Sequence, residues 1–399
     1  MDELIESIYS FNAGLPEELV DIKLNLMKEN LFRFFRGTCH LFFDMWVKQG
    51  TGLAGPLAWI SGDLHLENFG SYRAANQMVY FDLNDFDEAV LAPAHWEVVR
   101  TLSSIFIAFA ALNIPPEKAE RMAQLFLKSY TCTLSTGKSN YADPRTATGI
   151  VQKFLKAVEK RKYRELLRKR TGKTGRIASF DLAHPKHEKL PLKDKKELLA
   201  CISKWIGERP ESPNNFKPVD VVFRLAGTGS MGLDRYAFLL KSNNKKERYL
   251  LVDMKEVRRS SLYKHVQDIQ PAFQTDGERV VWAQQMMQNM SPRLLSTLHF
   301  GNKEFLVQEL QPTKDNIDFK LLKNRYRDMC RVIADMGMLT ASAQLRASGR
   351  RGAATADELI EFAKEESWQK EVLAYARGQV EVHQNLYDQF YKVAAARRA

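Results

Sequence analysis

Two short stretches of this 399-residue chain concentrate the side chains that do chemistry. They are Gly62-Asp63-Leu64-His65-Leu66-Glu67-Asn68 and Tyr80-Phe81-Asp82-Leu83-Asn84-Asp85-Phe86-Asp87-Glu88. Each follows a short apolar run, so both carboxylate sets are expected at strand ends, where α/β proteins build sites. A single acidic residue on a loop is most simply part of a solvated turn. Carboxylates converging from two loops, however, repel unless something positive lies between them, usually Mg²⁺ with a phosphate. Asp63-x-x-x-x-Asn68 has the spacing of a phosphoryl-transfer loop, with Asp as base and Asn on the metal. Asp85-Phe86-Asp87 follows seventeen residues after Asn68, where a kinase carries its metal-binding Asp-Phe-Gly. Asp63 and His65 are therefore the candidate catalytic residues, and Asn68, Asp85 and Asp82 the candidate Mg²⁺ ligands. His65 either bonds the transferred phosphate or holds the loop.

A second constellation is Gly227-Thr228-Gly229-Ser230-Met231-Gly232. A dinucleotide fold would need a helix directly after these glycines, but Tyr236 to Leu240 reads as a strand. Strand, glycines, strand is the arrangement in which backbone N–H groups cover nucleotide phosphates in kinases. The next strand, Leu251-Val252-Asp253-Met254-Lys255, delivers a lysine that is costly to bury unless paired. Its candidate partner is Glu278 on the following helix, although an acid there also suits the helix macrodipole. Leu306 to Leu310 is the candidate hinge strand, with Gln308 at the nucleotide. The candidate ATP-binding set is thus Gly227, Gly229, Ser230, Gly232, Lys255, Glu278 and Gln308.

The elements that must position these groups follow from pattern. Leu57 to Ile60 and Met78 to Leu83 read as strands, and Pro93 opens a long apolar helix from Trp96 to Ala111. Three strands, 221–225, 236–240 and 249–254, form a meander. A helix near 278–290 and a strand at 305–310 follow, and the chain is helical from Phe319 on. The expected division is a helical part with the catalytic and metal loops at 1–205 and a linker at 206–218. A β-rich nucleotide-binding part at 219–312 and C-terminal helices at 313–399 complete it.

An ordinary kinase runs glycine loop, Lys, helix Glu, hinge, catalytic loop, metal Asp. Here the last two come first. The expected fold is α+β: a two-lobed, protein-kinase-like fold, circularly permuted, with a small antiparallel-sheet lobe and a larger, mostly helical one. Permutation is permitted where the new termini lie at the surface.

Across nearly its whole length the chain resembles the uncharacterised bacterial family called domain of unknown function 2252. The resemblance is carried by Phe35-Arg36-Gly37, GDLHLENFG at 62–70, FDLNDFDEA at 81–89, GTGSMG and VDMKE. The first acidic loop also resembles the H-G-D-L-H-x-x-N loop of aminoglycoside and choline-type phosphotransferases, and PAHWEVVRTL at 93–102 resembles their helix after the metal Asp. Ser61 stands where those enzymes carry His, and Glu97 where Asp is expected after Trp. Arg36 either pins the acidic loops through a carboxylate or caps a helix.

Lys and Arg total 59 against 48 Asp and Glu, a net charge of +11, which favours anionic partners. Eleven bases and two acids fall within 153–176. Phe154 and Tyr163 are the aromatics in that run, too few for a base-stacking groove, so no specific nucleic-acid partner is expected. The segment either steers an anionic acceptor or stays solvated. Cys39, Cys132, Cys201 and Cys330 lie far apart, no apolar run is long enough to span a membrane, and the N-terminus lacks the bases and apolar core of a signal peptide. A cytoplasmic protein without a membrane partner is expected. The leading function is an ATP- and Mg²⁺-dependent phosphotransferase acting on a small-molecule or protein hydroxyl. A catalytically silent nucleotide-binding scaffold, or a metal-dependent hydrolase using Asp63, His65, Asp82 and Asp85, are the alternatives.

Overall fold

The computed structural model describes residues 2–49, 53–174, 177–210, 212–225, 231–244, 248–311 and 316–396. The chain is α+β, with twelve strands among those residues: β1 (Leu57–Ile60), β2 (Phe69–Arg73), β3 (Val79–Leu83), β4 (Val90–Pro93), β5 (Thr171–Thr174), β6 (Ile177–Phe180), β7 (His187–Glu188), β8 (Phe216–Arg224), β9 (Arg235–Ser242), β10 (Tyr249–Glu256), β11 (Ser296–Phe300) and β12 (Lys303–Glu309). The last six form one antiparallel sheet in the order β11-β12-β10-β9-β8-β7; β1 pairs with β4, β2 with β3 and β5 with β6.

Alternation builds the large sheet. Phe238, Leu240, Val252, Met254, Phe305 and Val307 face one side, where Leu198, Ile202 and Trp205 of the helix Leu192–Glu208 cover them. Ala237, Leu239 and Leu251 face the other, against Leu166 and Phe180. The helix Leu192–Glu208, expected with the helical part, therefore belongs with the sheet. The linker is correspondingly shorter than 206–218, because β8 begins at Phe216. The expected strands and helices otherwise appear within a few residues of their places, while β2, β4, β7, β11 and the β5–β6 hairpin are additional.

The helical body centres on His95–Ala111, nearly all of it buried, flanked by Pro116–Ser135, Tyr326–Ala347 and Glu366–Ala396. Its core also contains Val280, Ala283 and Met287 of the helix Asp276–Met287, together with Val257, Leu295 and Leu306. One edge of the sheet thus shares a core with the helical body. Among the described residues no helix is long and apolar enough to cross a membrane.

Candidate functional site

A cavity of about 700 Å³ opens between the sheet and the β1–β4 region. Asp63, Asn68, Asp85 and Asp87 line it from below, and Lys255, Asp253 and Gln308 from the sheet. The two acidic loops are joined by backbone, since Asn84 N–H donates to Asn68 O at 2.9 Å.

The first loop is held on three sides. Gly62 has φ +83°, and a Cβ there would collide with the Glu88 carbonyl, so only glycine makes this turn without strain. Beneath it the Glu97 carboxylate accepts from Ser61 N at 2.7 Å, Ser61 Oγ at 2.8 Å and Gly62 N at 3.3 Å. Burial pushes Glu97 up to about 7, against hydrogen bonds from Ser61 and Gly62 that favour its charged form. The longer Glu97 thus reaches both the backbone and the hydroxyl of the short Ser61. Arg100 secures Asp63: its Nη2 donates to Asp63 Oδ1 at 2.7 Å and to Phe35 O at 3.0 Å. The guanidinium lies 3.6 Å from the centre of the Phe35 ring and 4.8 Å from that of Phe42. Burial raises the Asp63 pKa and Arg100 opposes it, with a net upward shift. Arg100 was not singled out from sequence, although a lone cation within a sixteen-residue apolar helix is a visible signal.

His65 holds the loop. Its Nδ1 faces the Glu67 N–H at 3.2 Å, capping the short turn Leu66–Asn68, and Arg36 Nε lies 3.2 Å from Nε2. Its Nε2 is 3.9 Å from Asp63 Oδ2. Arg36 also pairs with the Glu67 carboxylate, so it pins the first acidic loop. Asn68 Nδ2 donates to Asp63 O at 2.7 Å.

Lys255 is the meeting point. Its ammonium pairs with Asp87 and lies 3.6 Å from Asp85 Oδ1. Burial disfavours its charge, but Asp85 and Asp87 outweigh that and hold the pKa above the ordinary value. Arg279 fixes the same loop through Asp87 O at 3.1 Å and Ala89 O, and ties it to the segment after β10 through Arg258 O at 3.1 Å.

Two expected members stand elsewhere. Asp82 is fully buried on β3, 3.2 Å from Arg346 Nη2, with Asn289 N–H at 3.3 Å. Unlike Asp63, Asp85 and Asn68, Asp82 does not line the cavity, so it is not placed to share a metal with them, and a hydrolase set combining it with Asp63 and Asp85 does not assemble. Glu278 does not meet Lys255. It serves the start of its helix, where Thr275 Oγ1 accepts from Glu278 N at 3.1 Å and Glu278 Oε2 accepts from Gln274 N at 2.8 Å. Of the glycine turn, Gly227, Gly229 and Ser230 lie outside the described residues. Gly232 has φ +103° and packs against Leu15.

The described residues contain no cluster of three or more His, Cys, Asp or Glu disposed to enclose a metal. Mg²⁺ commonly needs only one or two protein carboxylates, its other ligands being waters and phosphates. Asp85 with Asn68 meets that requirement. Lys23, 2% exposed, also lines the cavity, donating to Asn12 Oδ1 at 2.8 Å.

The chain belongs to the family described as uncharacterized protein conserved in bacteria (DUF2252), whose pattern matches residues 15–393. Comparison with curated proteins and with solved structures finds no match.

Proposed function

We propose that this chain is an ATP-dependent phosphotransferase of permuted, kinase-like construction, transferring a phosphoryl group to a hydroxyl acceptor. The reading rests on one contact: Lys255 of the sheet meets Asp85 and Asp87 of the acidic loop, 170 and 168 residues away in sequence, in the wall of one cavity. That is the pairing of phosphate-binding cation with metal-binding carboxylate that phosphoryl transfer requires. The order β8, glycine-rich sequence, β9, β10 with its Lys, helix, β11 and β12 supports it.

In this reading Asp63 accepts the acceptor's proton. Arg100 holds Oδ1, Oδ2 lies 3.9 Å from His65 Nε2, and the upward shift from burial makes Asp63 a better base than an exposed Asp. Asp85 and Asn68 are the groups for Mg²⁺, whose chemistry there is to neutralise charge on the phosphates. Lys255 passes from Asp87 to a phosphate oxygen when nucleotide enters, and Gln308 faces the nucleotide from the hinge strand.

Calorimetric titration of ATP with and without Mg²⁺ tests it. Wild type binds tightly only with Mg²⁺. Asp85→Asn loses most of that Mg²⁺-dependent affinity, and Asp63→Asn keeps the affinity while losing phosphate transfer. Equal loss of binding in both folded variants contradicts the roles; absence of nucleotide binding in wild type sinks the reading.

A further inference from the structure

Among the described residues of the basic run 153–176, one base is not on the surface. Lys160, Arg161, Lys162, Arg168 and Lys169 are exposed, but Arg170 is 5% exposed and lines the cavity. Helical spacing explains it: Tyr163, Leu166 and Arg170 share one face of the helix Tyr163–Arg170. Leu166 packs on the sheet, and Tyr163 Oη accepts from Leu251 N at 2.5 Å. This face carries Arg170 to the roof of the cavity.

The roof there is already cationic. Arg235 lies directly opposite Lys255 across the β9–β10 pair. On the next strand, Arg224 follows Phe223, the register partner of Tyr236. Three cations thus cross three neighbouring strands on one face, an arrangement that repels itself without anions. Asp253 answers two of them, accepting from Arg224 Nη1 at 2.7 Å and from Arg235 Nε at 3.0 Å. Arg170 Nη1 and Arg224 Nε are buried with no hydrogen-bond partner among the described residues. Around the cavity as a whole, nine Lys and Arg side chains face six carboxylates. A buried guanidinium left short of acceptors is costly unless a ligand supplies them.

We infer that Arg170 and Arg224 form an anion subsite, distinct from Lys255, that binds a phosphate group. A tetrahedral phosphate oxyanion matches the planar fork of guanidinium donors and supplies the acceptors that both side chains lack. Arg235, already shared with Asp253, borders the subsite on the side of Lys255. The inference goes beyond the phosphotransferase reading, because the subsite needs neither Mg²⁺, nor a nucleotide base, nor transfer.

Inorganic pyrophosphate without Mg²⁺ is the probe, titrated calorimetrically at constant ionic strength into full-length protein. Wild type binds it. Arg170→Met weakens binding roughly tenfold or more, the scale of losing a charge-assisted hydrogen-bond pair. Lys160→Gln, which removes the same charge from the exposed part of the run, leaves affinity within about twofold. Arg170→Met should also melt no lower than wild type, because it removes an under-partnered buried cation, so weaker binding cannot be ascribed to misfolding. ADP that competes with pyrophosphate assigns the subsite to the nucleotide's own phosphate chain. ADP and pyrophosphate bound together assign it to a separate phosphorylated compound. No pyrophosphate binding in wild type, equal affinity in wild type and Arg170→Met, or equal loss in both variants overturns the inference.

Discussion

Lys23 shows how far this protein departs from the rule that lysines stay in water. Its ammonium is buried beside the cleft, with Asn12 Oδ1 as hydrogen-bond partner and the Phe11 ring 5.3 Å away. Burial pulls its pKa from 10.5 down to about 8, Glu88 partly opposing. The folded state therefore resists a proton that the unfolded chain accepts below about pH 10.5. Stability contributed at high pH is lost as pH falls from 10.5 to 8, and the penalty is fully present at pH 7, roughly 3 kcal/mol at most. Lys23→Met should melt higher than wild type at pH 7, and the gap should narrow between pH 8 and 10.5. Parallel melts across that range check it, and a constant gap would refute it. Gly62 is the opposite case. Gly62→Ala places a Cβ against the Glu88 carbonyl at a positive φ and should cost about 3 kcal/mol, read from the denaturant midpoint.

The helix Asp276–Met287 performs a different task from the one expected of it. Its first turn is capped by Thr275 and Glu278, while Arg279, one residue on, anchors the acidic loop. Glu278→Ala should therefore cost about 1 kcal/mol of stability and leave Mg²⁺-nucleotide affinity within twofold, measured by thermal melts and calorimetry. A collapse of affinity would restore the Lys255–Glu278 pair. Much of this region was legible: apolar runs bounded by glycine-rich and polar turns marked β8 to β10, and the cost of burying Lys255 announced that it would be paired. Its partners were not legible, because they depend on how the β1–β4 region meets the sheet. Asp82 was misplaced for a related reason. All five residues of β3 are buried, so no apolar–polar alternation distinguishes the face toward the cleft from the face toward Arg346. The β5–β6 hairpin was missed because Thr171-Gly172-Lys173-Thr174 has little strand character of its own, and its place depends on the packing of Phe180 against the sheet.

At the scale of the whole molecule, the sheet and the helical body are tied by more than the cleft. Tyr72 Oη donates to Met290 O at 2.7 Å, and Gln288 Nε2 donates to Leu83 O at 2.6 Å. Gln311 accepts from Arg73 N at 2.9 Å and donates to Arg73 O at 3.2 Å. These bonds join β2 and β3 to the chain on both sides of β11 and β12. Beneath them the helix Asp276–Met287 contributes Val280, Ala283 and Met287 to the core of the helical body. Neither part can open without exposing apolar surface of the other, so the two should unfold as one cooperative unit despite the length of the chain. The ion pairs from Lys255 add to that coupling at a lower level, the Asp85 and Asp87 side chains being 30% and 26% exposed. Phe238→Ala in the sheet core and Phe109→Ala in the helical core each remove a fully buried ring and should each cost roughly 3–5 kcal/mol. Because the transition is shared, both should lower the same single calorimetric peak, with near-ultraviolet and far-ultraviolet signals lost together. Two peaks, one moved by Phe238→Ala and the other by Phe109→Ala, would show that the sheet and the helical body unfold independently and that the shared core does not couple them.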